Sequence, residues 1–195
     1  MVKTKIAVLV SGGGTNLQAL LDAQKAGKMP HGEIALVVSN KEGAYALTRA
    51  ENFGVEGLVI KGPDFEAKLQ AALEERNIQM IVLAGFLKIL SAEFTSKWPE
   101  RILNIHPSLI PSFCGEGYYG LRVHEEALNY GVKVTGATVH FVNEVPDGGR
   151  IIAQKAVDIL PGDTPEILQR RVMEQAEWVL LPQAAEEVAA YYATK

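Results

Sequence analysis

The sequence predicts an α/β fold: a doubly wound, mostly parallel sheet with a C-terminal antiparallel hairpin and a final helix. Three features carry this reading. Short unbroken runs of branched apolar residues, such as Ile6-Ala-Val-Leu-Val10, suit strands covered on both faces. These runs alternate with segments of helical apolar spacing, as right-handed crossovers between parallel strands require. In the second half of the chain the alternation gives way to two strand-like segments joined by a turn.

The elements follow in order. Residues 6–10 form the first strand, and glycines 12 to 14 end it. Residues 16–24 read as a helix with Leu17, Leu20 and Leu21 on one side. A strand at 34–38 and a helix at 45–53 come next, then a weaker strand at 57–60. The helix at 65–76 turns Leu69, Ala72 and Leu73 inward, and residues 80–84 form a buried strand. A short helical stretch at 91–98 precedes a strand at 101–105. Residues 108–120 mix Pro, Gly and aromatic residues without periodicity and read as a loop. A helix at 124–129 leads to strands at 134–142 and 151–157, joined through the turn Pro146-Asp-Gly-Gly149. Asp163-Thr164-Pro165 is a helix start, with either polar residue able to cap and proline in the first turn. That helix is expected to run past Trp178, break at Pro182 and resume toward Tyr192.

Composition narrows the function classes. The 195 residues are 48% hydrophobic and 22% charged, ordinary for a globular chain, and predict one domain over residues 1–195. Nineteen basic against 23 acidic side chains, a net charge of −4, disfavour binding along a nucleic-acid backbone. The single cysteine, Cys114, leaves no disulfide framework and fits a reducing compartment. The apolar run at residues 6–10 is too short for a signal-peptide core or a membrane span, so a cytoplasmic protein without membrane contact is expected.

Two segments carry chemistry. Ser11-Gly-Gly-Gly-Thr-Asn16 lies between a strand and a helix, where glycines admit an anion to backbone N–H groups at a helix N-terminus. Thr15 or Asn16 can cap the helix or touch a phosphate oxygen; an ordinary tight turn is the plain alternative. Leu17 occupies the third glycine position of a dinucleotide fingerprint, and the Gly-Lys-Ser/Thr ending of a triphosphate loop is missing, so one phosphate monoester is the inference. The second segment, Asn104-Ile-His-Pro-Ser108, ends a strand. Side chains two residues apart point the same way, so Asn104 and His106 converge, and Pro107 holds His106 extended. An amide that donates to an oxyanion beside an imidazole that moves a proton is a plausible catalytic pair. A charged imidazole at neutral pH requires a carboxylate neighbour, and Asp147 in the Val145–Gly149 turn is the candidate.

Other residues read as structural. Cys114 and His124 have no nucleophile–base signature, and His140, sharing strand parity with Thr138, reads as a hydrogen-bonded core or rim histidine. His31, His106, His124 and His140 lack metal-ligand spacing, so no metal is expected.

In order along the chain stand Ser11-Gly-Gly-Gly-Thr-Asn-Leu17, Leu83-Ala-Gly-Phe-Leu-Lys-Ile-Leu90, Asn104-Ile-His-Pro-Ser-Leu109, Gly136-Ala-Thr-Val-His-Phe-Val142 and Asp147-Gly-Gly149. With these motifs the chain closely resembles, over nearly its whole length, the phosphoribosylglycinamide formyltransferases, folate-dependent enzymes of purine synthesis. The resemblance implies a Rossmann-like formyltransferase fold, with residues 1–105 as a phosphate-binding half and residues 106–195 as a folate and catalytic half. It also implies transfer of formyl from 10-formyltetrahydrofolate to the glycinamide amine of a ribonucleotide, without metal. Asn104, His106 and Asp147 match the catalytic positions, and Gly13, Gly14, Thr15 and Asn16 the phosphate site. Leu87, Lys88, Ile89, Leu90, Asn143, Glu144, Val145, Pro146 and Asp147, with Asn104, match the folate-binding segments. Glu177 matches an acid at the glycinamide end if one residue is inserted before it; otherwise Glu174 comes closer, and Glu177 is preferred. Phe65 stands where many relatives place an arginine near the folate tail, with Lys61 and Lys68 nearby. The implied partners are these small molecules, and the implied state is a monomer or weak homodimer.

Overall fold

A computed structural model describes residues 2–194. Seven strands form one sheet in the order β3-β2-β1-β4-β5-β6-β7. They are β1 Thr4–Val10, β2 Gly32–Ser39, β3 Glu56–Val59, β4 Met80–Leu83, β5 Ile102–His106, β6 Val134–Phe141 and β7 Ile151–Asp158. β1 to β5 are mutually parallel, whereas β6 runs antiparallel to β5 and β7 antiparallel to β6. The predicted doubly wound sheet with its terminal hairpin is what forms. β5 is the switch point, with a parallel neighbour on one side and an antiparallel one on the other.

Alternation along the central strands divides the core. Ile6, Val8 and Val10 of β1 pack on one face with Leu17, Leu20 and Leu21 of α1 (Thr15–Lys25) and Leu181, Ala185 and Ala189 of a C-terminal helix. Ala7 and Leu9 pack on the other with Phe65, Leu69 and Leu73 of a helix at Phe65–Glu75. Burial on both faces explains why β1 and β4 read as unbroken apolar runs. In chain order the other helices are α2 (Tyr45–Asn52), α3 (Phe65–Glu75), α4 (Ala92–Ser96), α5 (Leu121–Tyr130), α6 (Pro165–Val172) and α7 (Trp178–Ala193). No helix among the described residues is long and apolar enough to cross a membrane.

Two boundaries depart from the sequence reading. α5 starts at Leu121, three residues early, because Gly120 precedes it and no side chain caps it; the usual polar start signal is missing. The C-terminal helix does not break at Pro182, which lies inside α7. The irregularity falls upstream, in a π turn at Met173–Glu177, where the Trp178 N–H reaches back five residues to the Met173 carbonyl. α7 continues through Pro182 because Leu181, Ala184, Ala185 and Ala189 are buried, and that packing outweighs one forgone backbone bond.

Candidate active site

The parallel strands end on one side of the sheet, and a cavity of about 610 Å³ opens there. Thr15, Asn16 and Glu177 line one part of it, and Asn104, His106 and His140 line the middle. The segments 85–90, 115–120 and 142–147 form much of the rest of its wall.

Thr15 and Asn16, which follow the glycine loop, supply the first part. Gly14 adopts a left-handed conformation (φ 73°) as N-cap of α1 and makes no side-chain cap bond. A Cβ at Gly14 would press on Ala46 of α2, 2.6 Å away, so glycine is required for both conformation and space. Neither Thr15 nor Asn16 caps the helix, and the first backbone N–H groups of α1 remain free of side-chain partners. Gly13 and Gly14 both lie outside the cavity wall, and the Gly13 carbonyl accepts a 2.8 Å bond from Arg49 Nε. Ser11 ties this loop to its neighbours: its Oγ donates to Asn40 Oδ1 (2.8 Å) and accepts from the Leu87 N–H (3.0 Å).

Asn16 turns away from a capping role toward Glu177, its Nδ2 donating to Oε2 at 2.6 Å. Glu177 is 6% exposed, and burial pushes its carboxyl above the usual range while the Asn16 bond opposes the rise. The π turn explains this placement. In an α-helix five residues rotate the chain by roughly 500°, about 140° past a full turn, so an unbroken helix would swing Glu177 off the face of Val172. The π turn takes up the additional residue, and Val172, Ala176 and Glu177 are all buried. Glu174 is exposed and bonded to Arg170 at 3.1 Å.

Asn104 and His106 converge as their spacing predicts, while Ile105 packs into the opposite core. Antiparallel pairing sets Asn104 opposite His140 and His106 opposite Thr138. The Asn104 Nδ2 donates to His140 Nε2 (3.1 Å) and, at greater length, to Asp147 Oδ1 (3.4 Å). His140 Nδ1 donates to the Phe141 carbonyl (2.8 Å), leaving Nε2 to accept. Asp147, in a left-handed conformation (φ 54°), lies 3.5 Å from both His106 Nδ1 and His140 Nε2. The Gly115 N–H donates to its Oδ2 at 2.8 Å. Gly149, two residues on, admits no side chain, because a Cβ there would overlap the Phe141 carbonyl oxygen.

The electrostatics reverse one expectation. Burial holds His106 below its ordinary value, and the opposing pull of Asp147 and of the Phe113 carbonyl does not make up the difference. The imidazole at rest is therefore neutral at neutral pH, not charged as the sequence reading expects. Its Nε2 donates to the Phe113 carbonyl (2.9 Å), so Nδ1 turns a lone pair toward Asp147. Burial raises the Asp147 carboxyl, but the His140 ring, His106 and the Gly115 N–H together hold it below the usual carboxylate range.

Of the folate-matched positions, residues 87–90 and 143–147 all line the cavity, with Leu87, Ile89 and Val145 exposed as an apolar rim. Lys88 lies 5.4 Å from the Phe65 ring centroid, whereas Lys61 pairs with Glu42. The sequence reading missed His140 as a site residue; its signal is the β5–β6 pairing, which no single-strand pattern reveals. It also left the 112–120 loop unassigned, yet Phe113 and Gly115 bind His106 and Asp147. Cys114 Sγ lies 3.3 Å from the Pro111 carbonyl.

His124 lines the same cavity, and neither of its buried ring nitrogens has a hydrogen-bond partner among the described residues. Burial, with a smaller contribution from His106, lowers its pKa to about 4. Between about 6.5 and 4 the unfolded chain therefore binds a proton that the folded one refuses, so stability falls as pH falls through that window. Denaturant titrations at pH 7 and pH 4 should show roughly 3 kcal/mol of this loss, absent from His124→Gln.

Comparison with known proteins bears on the whole of this arrangement. The family described as "Formyl transferase" matches residues 4–184. The chain is 47% identical over 193 residues to the trifunctional purine biosynthetic protein adenosine-3 of Gallus gallus, covering 96% of this chain and 18% of that protein. It thus spans under a fifth of that relative's length. It is 42% identical over 184 residues to the phosphoribosylglycinamide formyltransferase of Haemophilus influenzae, covering 91% of this chain and 84% of that one. The crystal structure of glycinamide ribonucleotide transformylase 1 from Symbiobacterium toebii superposes with a TM-score of 0.89 at 40% identity, covering 97% of this chain and 89% of that one.

Proposed function

The chain belongs to the formyl transferase family, and on that premise we propose that it transfers formyl from 10-formyltetrahydrofolate to the glycinamide amine of phosphoribosylglycinamide in purine synthesis. One observation supports this above all: a single cavity is lined by the first residues of α1, Thr15 and Asn16, by the buried Glu177, and by the Asn104–His106–His140–Asp147 cluster. The glycine loop and the start of α1 would hold the phosphate, and Asn16 would position Glu177 for the glycinamide end. The apolar rim of Leu87, Ile89 and Val145 suits a flat pterin ring, and Lys88 is the cation of that wall.

The reaction follows from these positions. A neutral amine attacks the formyl carbon and makes a tetrahedral intermediate, negative on oxygen and positive on nitrogen. Asn104 donates to the oxygen. His106, neutral at rest, takes the proton from the attacking nitrogen on Nδ1, its unprotonated nitrogen, and Asp147, 3.5 Å from that atom, steadies the resulting imidazolium. The same proton then passes to the departing folate nitrogen, directly or through water, and the C–N bond to folate breaks. The acceptor attacks directly, so the sequence needs no covalent enzyme intermediate.

Incubation with 10-formyltetrahydrofolate, with and without phosphoribosylglycinamide, tests the reading. Amine-dependent consumption is the expected result. Amine-independent consumption would mean a hydrolase, and no consumption a binding protein. Within this scheme Glu177→Ala should raise the ribonucleotide KM about 10- to 100-fold and leave that of the folate in place. Glu174→Ala, altering an exposed pair with Arg170, should move neither; initial-rate measurements decide.

A further inference from the structure

The base in the mechanism above works in only one of its two neutral forms, and two acceptors compete over which form is present. His106 Nε2 lies 2.9 Å from the Phe113 carbonyl, and Nδ1 lies 3.5 Å from the Asp147 carboxylate. A neutral imidazole has a single N–H to give. Given to Asp147, it would occupy Nδ1 and leave the Nε2 lone pair facing a carbonyl oxygen, where two lone pairs repel. The position of the Phe113 carbonyl therefore decides whether Nδ1 is free to take a proton.

That carbonyl is held through a side chain to which the mechanism gives no part. Thr138 stands opposite His106 in the β5–β6 pairing and is fully buried. Its hydroxyl donates to the Ser108 carbonyl (2.7 Å) and accepts from the Ile110 N–H (3.1 Å) and from Gln154 Nε2 (3.0 Å). Those three bonds use its one hydrogen and both its lone pairs. Gln154, the partner of Thr138 in β7, also donates to the Ile110 carbonyl at 3.0 Å. One hydroxyl thus fastens both Ser108 and Ile110, just where the chain leaves β5. The Ser108 hydroxyl carries the restraint onward, donating at 2.6 Å to the carbonyl of Ser112, the residue before Phe113. The Phe113 ring then meets that of Tyr130 edge to face, 6.0 Å between centroids.

We propose that Thr138 is a positioning residue for the reaction: through Ser108 and Ile110 it fixes the Phe113 carbonyl, which keeps the His106 proton on Nε2 and leaves Nδ1 open to the attacking amine. Thr138 is not part of the cavity wall, so it acts through His106 and not on a ligand. The inference rests on the base role given to His106 under the proposed function.

Thr138→Val keeps the shape of the side chain and removes all three bonds. In ring-labelled protein without ligand, long-range proton–nitrogen NMR should show wild-type His106 protonated on Nε2 and the valine variant shifted toward protonation on Nδ1. The kcat should fall about three- to tenfold, the scale of one hydrogen bond, with both KM values within a few-fold of wild type. Thr138→Ser, which restores the hydroxyl, should recover both the tautomer and the rate. A lower rate with the tautomer unmoved would make Thr138 a structural residue and overturn the proposal, as would a wild-type ring already protonated on Nδ1. A shifted tautomer at the wild-type rate would overturn the base role of His106, and this proposal with it. If Thr138→Val does not fold, Ser108→Ala, which cuts only the bond to Ser112, should move the tautomer in the same direction by a smaller amount, and an unmoved ring there overturns the proposal.

Discussion

Replacing Asn104 by alanine is expected to slow formyl transfer about 100- to 1,000-fold while phosphoribosylglycinamide still binds. The side chain is half-buried at the tip of β5, and its Nδ2 carries two bonds of unequal quality. The 3.1 Å bond to His140 keeps the amide oriented; the 3.4 Å bond to Asp147 is the weaker, and its N–H is the one an oxyanion can take over. Alanine leaves the β5–β6 pairing and the glycine loop untouched, so the change falls on the chemical step. Initial rates should show kcat falling on that scale with the ribonucleotide KM within a few-fold. Turnover near the wild-type value would remove Asn104 from the mechanism.

Asp147→Asn should reduce the rate about 100- to 10,000-fold, the range of general acid–base contributions. Its pH signature has a definite sign. The Asp147 charge pulls the His106 pKa up against burial, so removing it lets that pKa fall further below its ordinary value. The acid limb of the rate profile then moves to lower pH, because His106 stays unprotonated longer, even as the maximal rate drops with the weaker base. NMR titration of His106 reads the shift directly. A midpoint unmoved by the substitution would break the link between the two residues, whatever happens to the rate.

Much of this architecture is legible in the sequence because its signals are local. The apolar runs of β1 and β4, the glycines before α1, and the two-residue spacing of Asn104 and His106 each fit within a few positions. What escapes is long-range. His140 becomes a site residue only once β6 lies antiparallel to β5, which brings together residues 36 apart. The neutral state of His106 depends on how deeply it is buried, and a carboxylate in the same motif set says nothing of that. The π turn at Met173–Glu177 is what separates the two acids in space: Glu177 is buried beside Asn16, whereas Glu174 is exposed beside Arg170. Pro182 is the visible breaker in that stretch, but the tight packing of Leu181, Ala184 and Ala185 keeps the helix running through it.

Ser11 fastens two neighbouring segments of this protein twice over, by its hydroxyl and by its backbone N–H, which donates to the Gly85 carbonyl at 3.2 Å. Ser11 follows β1 at the root of the glycine loop, yet its oxygen also holds the amide of Leu87 at the opposite lip. On the proposed reading, the phosphate side and the donor side of the cavity would both lean on this one residue. Ser11→Ala would strip the hydroxyl from this junction and leave the backbone bond to Gly85 as its remaining tie.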